Sequence, residues 1–115
     1  MREEQMTANA GNMDFQSFWG HLQTNLIEGS QVHNWTAHGG YLGDSFKVVA
    51  KRPTYVEVSS PAAAMIQHIS RGEFQKLREH WDAYIAREMP RYRLRDLTRF
   101  SKYIISIMHH LEKRN

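Results

Sequence analysis

Six residues near the C-terminal end, Leu94, Leu97, Ser101, Ile104, Met108 and Leu111, recur at spacings of 3, 4, 3, 4 and 3. That is the period of one face of an α-helix. Ile105 and Ile107 fill much of the remaining circumference. A helix that is apolar nearly all round must be buried nearly all round, so the chain has to build its core against this segment. Two readings of the segment are open. In one, a single helix runs from Tyr92 to Glu112 and forms an antiparallel pair with the helix before it. In the other, Thr98 or Ser101 caps a new helix, and Arg91 to Leu97 is a short helix ahead of it, in the order of a helix-turn-helix.

Upstream, Ser70-Arg71-Gly72-Glu73 fits a capping box, in which serine and glutamate satisfy each other's free backbone N–H groups. Behind it Phe74, Leu77, Trp81, Tyr84 and Ile85 share a face, and Pro90 stops the run. The spacing predicts a helix over 72–87. A first helix is expected from Met13 to Glu28, with Phe15, Phe18, Trp19, Leu22 and Leu26 on one side and Gly29 to end it. Between the two, Gln31 to Ser45 reads as a glycine-bearing turn segment. Phe46, Val48 and Ala50 alternate with Lys47, Val49 and Lys51 as a strand, and Tyr55 to Val58 is a second. Met65 to Ile69 fits a third strand or a helical turn, and the cap-like Ser70 behind it favours the strand.

The chain has 115 residues and no cysteine. One domain with a real core fits that length, and disulfides, thiol catalysis and Cys-based metal sites are excluded. No apolar run is long enough to span a membrane. Residues 1–11 are polar with no apolar signal region and are expected to be a disordered leader, with a single domain over 12–115 and a cytoplasmic location. Residues 1–60 hold four Lys/Arg and six Asp/Glu, a balance of −2; residues 61–115 hold eleven and six, a balance of +5. The asymmetry points the second half toward an anionic partner. A solvated helical surface is the plainer explanation.

The order Tyr55-Val56-Glu57-Val58, then Ser70-x-x-Glu73-Phe74, then Trp81-Asp82-x-Tyr84, is followed by a run from Leu94-Arg95-Asp96-Leu97-Thr98-Arg99 to Ser101-x-Tyr103-Ile104-Ile105-Ser106-Ile107. It resembles a small α+β domain of bacterial proteins of the kind met in mobile gene cassettes (integron cassette proteins) and beside defence or restriction genes. The resemblance covers roughly residues 42–112 and leaves the first helix outside. It implies three short strands followed by helices. It implies no activity and assigns no residue a role.

Arg87, Arg91, Arg93, Arg95, Arg99 and Lys102 lie within sixteen positions, opposed only by Glu88 and Asp96. Phosphate binding needs such cations on one surface, with hydroxyls or amides to fix register. Thr98 and Ser101 at a helix N-terminus would supply these, and Tyr92 and Phe100, if exposed, would stack on bases. Arg91, Arg93, Arg95, Arg99, Ser101 and Lys102 are therefore the candidate nucleic-acid residues. Against this, the same arginines suit a solvated face or a subunit interface, and Arg95 and Asp96 are placed to pair.

No other constellation carries chemistry. His33, His38 and Asp44 have metal-ligand chemistry but no defensible spacing, and His109 and His110 are adjacent on a helix and point apart. No nucleophile has an activating partner. Gly39-Gly40-x-x-Gly43 lacks the lysine and hydroxyl of a phosphate loop. No cofactor, metal or enzymatic activity is expected. Trp35, the one aromatic without an obvious core role, is a candidate pocket or interface residue.

The expected fold is α+β: an N-terminal helix, a small antiparallel sheet of about three strands, and two or three C-terminal helices packed on one face. The first helix carries more apolar surface than a small sheet hides, so a homodimer is expected with Phe15, Phe18 and Trp19 in the contact. Two functions follow: a binding module that meets DNA or RNA phosphates through the Arg91–Lys102 surface, or a structural or protein-interaction homo-oligomer.

Overall fold

The computed structural model describes residues 14–113; the expected leader and Met13 lie outside them. The fold is α+β, an N-terminal helix, a four-stranded antiparallel sheet and C-terminal helices packing on it. Helix α1 (Phe15–Asn25) is followed by β1 (Gln31–Thr36), β2 (Gly40–Arg52), β3 (Tyr55–Ser59) and β4 (Gln67–Ser70). Then come α2 (Arg71–Arg78), α3 (Trp81–Ile85), α4 (Arg91–Leu97) and α5 (Ser101–Lys113). The sheet order is β1-β2-β3-β4. Strand alternation turns Val32, Phe46, Val48, Val56, Val58 and Ile69 to one face, where they join the helices in a single core. The opposite face, with Gln31, Lys47, Val49, Ser59 and His68, is exposed.

The sheet has one strand more than the sequence suggests. Gln31–Thr36 is a strand, and β2 begins at Gly40 rather than Phe46. The alternation of β1 is regular, but Asn34 and Thr36 at its inward positions are polar. The β1–β2 register slips between His33 and Trp35, opposite Gly43 with φ +97°, a conformation open to glycine. There the Asn34 amide reaches the Asp44 carboxylate at 2.9 Å. A second slip between Val48 and Ala50 puts Lys51 opposite Val56, on the helix side. The Lys51 ammonium donates to the carbonyls of Gln23 and Leu26, placing a cation where the end of α1 leaves its carbonyls unpaired. α1 stops at Asn25 with Leu26 already extended; Gly29, φ +89°, serves the turn into β1.

The helix expected over 72–87 is two helices. His80 leaves the helical region, with φ −112° and ψ 9°, and the break lets two buried rings reach separate partners. Trp81 Nε1 donates to Glu112 at 2.8 Å, and the Ala37 amide donates to the Tyr84 hydroxyl at 2.9 Å. Ser70 occupies the N-cap position of α2, but its side chain makes no capping bond, so the capping box does not form. Nor is Pro90 the stop. Glu88 N–H bonds Ala83 O and Arg87 N–H bonds Tyr84 O around Arg87 at φ 64°, a Schellman closure with arginine in the position glycine usually takes.

The C-terminal segment breaks. α4 ends at Leu97, Thr98 is extended at φ −155° and ψ 136°, and α5 starts at Ser101. The Thr98 hydroxyl accepts from the Phe100 amide at 3.1 Å. Of the two open readings, the short helix ahead of a capped one is the structure. α5 then lies against the free edge of β1. Ser106 accepts the Trp35 amide at 3.0 Å and donates to its own Lys102 carbonyl at 3.1 Å. Ile104, Ile105, Ile107, Met108 and Leu111 are all buried, and burying each such side chain is worth about 1.5–3 kcal/mol.

Candidate nucleic-acid interface

The basic surface is built from α4, the Thr98–Phe100 junction and the first turn of α5. Leu94 is the buried residue of α4, Arg91 and Leu97 are half-buried beside it, and Tyr92, Arg93, Arg95 and Asp96 face solvent. On a helix of 3.6 residues per turn, Arg93 and Arg95 project roughly 160° apart. The arginines that alternate in the sequence thus flank the exposed face, with Tyr92 and Asp96 between them. Arg99 is exposed and its guanidinium lies 4.8 Å from the centre of the Phe100 ring. The Lys102 ammonium lies 5.9 Å from the centre of the Tyr103 ring. Both cations lie over aromatic rings at cation–π distance.

None of Arg91, Arg93, Arg95, Arg99 and Lys102 forms an ion pair with a described residue. The expected Arg95–Asp96 pair is not made. Arg91 differs from the others: its Nε is buried without a hydrogen-bond partner among the described residues, and its charge acts on Tyr84. Burial pushes the Tyr84 hydroxyl above its ordinary value, and the Ala37 hydrogen bond and Arg91 partly oppose that.

Several expected site residues are elsewhere employed. Thr98 is 4 % exposed and Ser101 2 %. The break therefore does not offer these two hydroxyls to a phosphate. Phe100 is likewise buried and cannot stack on a base; Tyr92, 54 % exposed, can. Phe18 and Trp19 are buried in the core of the single chain. The Trp19 ring meets Phe74 edge-on, and its Nε1 donates to the Pro53 carbonyl at 2.8 Å. Arg78 covers Phe18 at 4.7 Å, and Phe15 is half-buried against the same cluster. Of the three residues assigned to a partner contact, Phe18 and Trp19 are thus covered within the chain, and Phe15 stays partly open.

Trp35 is half-buried and stacks flat on His109, with centroids 3.9 Å apart and planes 5° apart. Tyr41, its cross-strand partner, brings its hydroxyl to 3.3 Å from His109 Nε2. Tyr41 and His33 stay exposed beside this stack. The strand that brings these four rings together was not legible, so neither was the cluster. A separate carboxylate–imidazole pair, Glu57–His68 at 3.1 Å, sits across β3 and β4 with Tyr55 4.2 Å from the imidazole ring. Both members are open to water, and a cross-strand pair of this kind contributes about 0.2–1 kcal/mol. His33, His38 and Asp44 do not converge; among the described residues no three His, Asp or Glu side chains form a metal site. No described helix is long and apolar enough to cross a membrane.

Comparison with protein-family models, with curated proteins and with solved structures finds no match.

Proposed function

We propose that this protein is a small cytoplasmic binding module without enzymatic activity, which contacts nucleic-acid phosphates through the surface made by α4 and the start of α5. Arg93, Arg95, Arg99 and Lys102 meet the phosphates, and Tyr92 is the exposed ring among them. The observation that carries this reading is a stretch of five cations and one acid, residues 91–102, in which no cation is neutralised by a described carboxylate. Uncompensated surface charge of one sign is what releases counterions from a polyanion. Kinship with cassette-encoded α+β domains belongs to the same proposal and gives no residue a role.

Titration of a fluorescent oligonucleotide at two salt concentrations tests it. Affinity falls steeply with salt, and Arg95→Ala and Arg99→Ala each weaken binding and lower the salt slope by roughly one. Absence of salt-dependent binding, or variants that bind as the parent does, would sink the reading.

A second reading, a protein-interaction homo-oligomer, is favoured by a different surface. Met65 is 76 % exposed and Ile66 52 %, side by side in the loop before β4. Isolated exposed apolar residues are ordinary, so this reading ranks second.

A further inference from the structure

On the helix-free face, at the end of the sheet where β1 begins and β3 stops, lies a shallow hollow of about 250 Å³ lined by Gln31, Ser45, Lys47, Ser59, Ser60 and Pro61. Its polar groups are ordered by the register of three strands. Gln31 of β1 stands opposite Lys47 of β2, and Lys47 stands opposite Ser59 of β3. Neighbouring strands are about 4.8 Å apart, so the three side chains form a short row across the sheet. The Ser45 hydroxyl donates to Gln31 Oε1 at 3.0 Å, which occupies the acceptor of that amide and leaves its Nε2 to donate. The Lys47 ammonium makes no hydrogen bond or ion pair with a described residue. No carboxylate lines the hollow. An amide donor, an ammonium and a hydroxyl in one row complement the oxygens of an oxyanion.

The hollow is also tied to the basic surface. Phe46, between Ser45 and Lys47, turns to the opposite face and meets the Tyr103 ring edge-on at 5.1 Å. Tyr103 is the ring beneath the Lys102 ammonium. The start of α5 with Lys102, and the junction before it with Arg99, therefore share the hollow's end of the sheet, on the other side. A volume just below that of pockets enclosing drug-sized molecules suits a part of a longer ligand, a phosphate with its sugar.

We propose that this hollow is a phosphate subsite for single-stranded nucleic acid: Gln31, Lys47 and Ser59 hold one backbone phosphate while others lie on Arg99 and Lys102. The proposal rests on the nucleic-acid reading above and adds a strand's path to it. That path turns around the end of a sheet. A duplex, stiff over about 150 base pairs, does not follow such a turn, whereas a single strand does.

The test uses the whole chain, isotope-labelled, with three probes: an oligothymidylate of about ten nucleotides, a duplex of equal length, and inorganic phosphate. The Gln31 side-chain amide signals report occupancy, and anisotropy at about 50 and about 200 mM salt reports affinity. The single strand is expected to shift the Gln31 amide. Lys47→Ala and Arg99→Ala are each expected to weaken its binding roughly fivefold to tenfold and to flatten the salt slope by about 0.7, one phosphate's share for single strands. If Arg99→Ala weakens binding and Lys47→Ala does not, the nucleic-acid reading stands and the subsite falls. If no oligonucleotide binds, both fall. Gln31 shifts produced by inorganic phosphate alone, without strand binding, overturn the strand assignment in favour of a small phosphate compound. Equal affinity for the duplex overturns the path around the sheet.

Discussion

At the scale of single residues, Thr98 and Arg87 show how local chemistry sets the shape of the basic surface. Thr98 ends α4 and holds the Phe100 amide with its hydroxyl, but it does so in the interior. The same residue type at an exposed helix start would have been an anion site. Arg87 holds a left-handed backbone, φ 64°, and its guanidinium donates to the Ala37 carbonyl at 3.1 Å. Alanine and glycine at this position both lose that bond, and only alanine keeps the backbone cost. Arg87→Gly is therefore expected to be more stable than Arg87→Ala by about 1 kcal/mol in urea denaturation; equal midpoints would contradict the assignment. Ala37 is held from its other side by Tyr84. Tyr84→Phe leaves a part-buried amide without its acceptor, at a cost of about 1–3 kcal/mol. The raised Tyr84 value also fixes a sign. Its contribution is complete below the unfolded-state value of about 10 and is lost as pH climbs through the higher folded value. Tyr84→Phe should lose less stability than the parent between neutral pH and the alkaline range, which a denaturation series across pH 7–11 reads.

At the scale of elements, the pairing of α5 with β1 decides where the site lies. An edge strand presents unpaired backbone groups that invite another chain. Here the edge of β1 meets hydroxyls instead, Ser106 for the Trp35 amide and Tyr84 for the Ala37 amide. Ser106 also approaches the buried Asn34 amide oxygen at 3.5 Å. Ser106→Ala removes one acceptor and strands a backbone N–H, so a loss of about 1–3 kcal/mol is expected. Faster hydrogen exchange at the Trp35 amide than at Val48 would locate the effect; uniform acceleration would mean that Ser106 acts on the whole fold instead. This contact also fixes α5 along β1, which brings its first turn to the Phe46 end of the sheet and its later turns to Trp35 and Tyr41.

At the scale of the whole molecule, the helices lie on one sheet face and the other stays open, so the surface has two unlike halves. Phe18 and Trp19 lie within the single core. Phe18→Ala is accordingly expected to lower the melting temperature and to cost about 3–5 kcal/mol, with the mass measured by light scattering unchanged. A variant of parental stability that dissociates a dimer would restore Phe18 to an interface. The homodimer remains a proposal, and the exposed Met65–Ile66 loop is a better place for its contact than α1.

The α+β class, the helical faces of α1, α2 and α5, and the strands around Phe46–Ala50 and Tyr55–Val58 are legible from residue order alone. They rest on periodicities that one element sets for itself. So does the cluster of cations between Arg91 and Lys102, because charge is a property of composition. The strand Gln31–Thr36 is not legible, because two of its three inward positions, Asn34 and Thr36, are polar although buried, and the first part of β2 is not legible because a bulge around Gly43 interrupts it. Nor is the break at His80, where the reach of Trp81 to Glu112 and of Tyr84 to Ala37 overrides a continuous helical stripe. The burial of Thr98 and Ser101 and the row of Gln31, Lys47 and Ser59 belong to the tertiary structure as well. A sequence determines which side chains an element turns to one face. Which face meets water, and which residues far apart in the chain become neighbours, depends on strand register and helix packing, and these are set by contacts between elements.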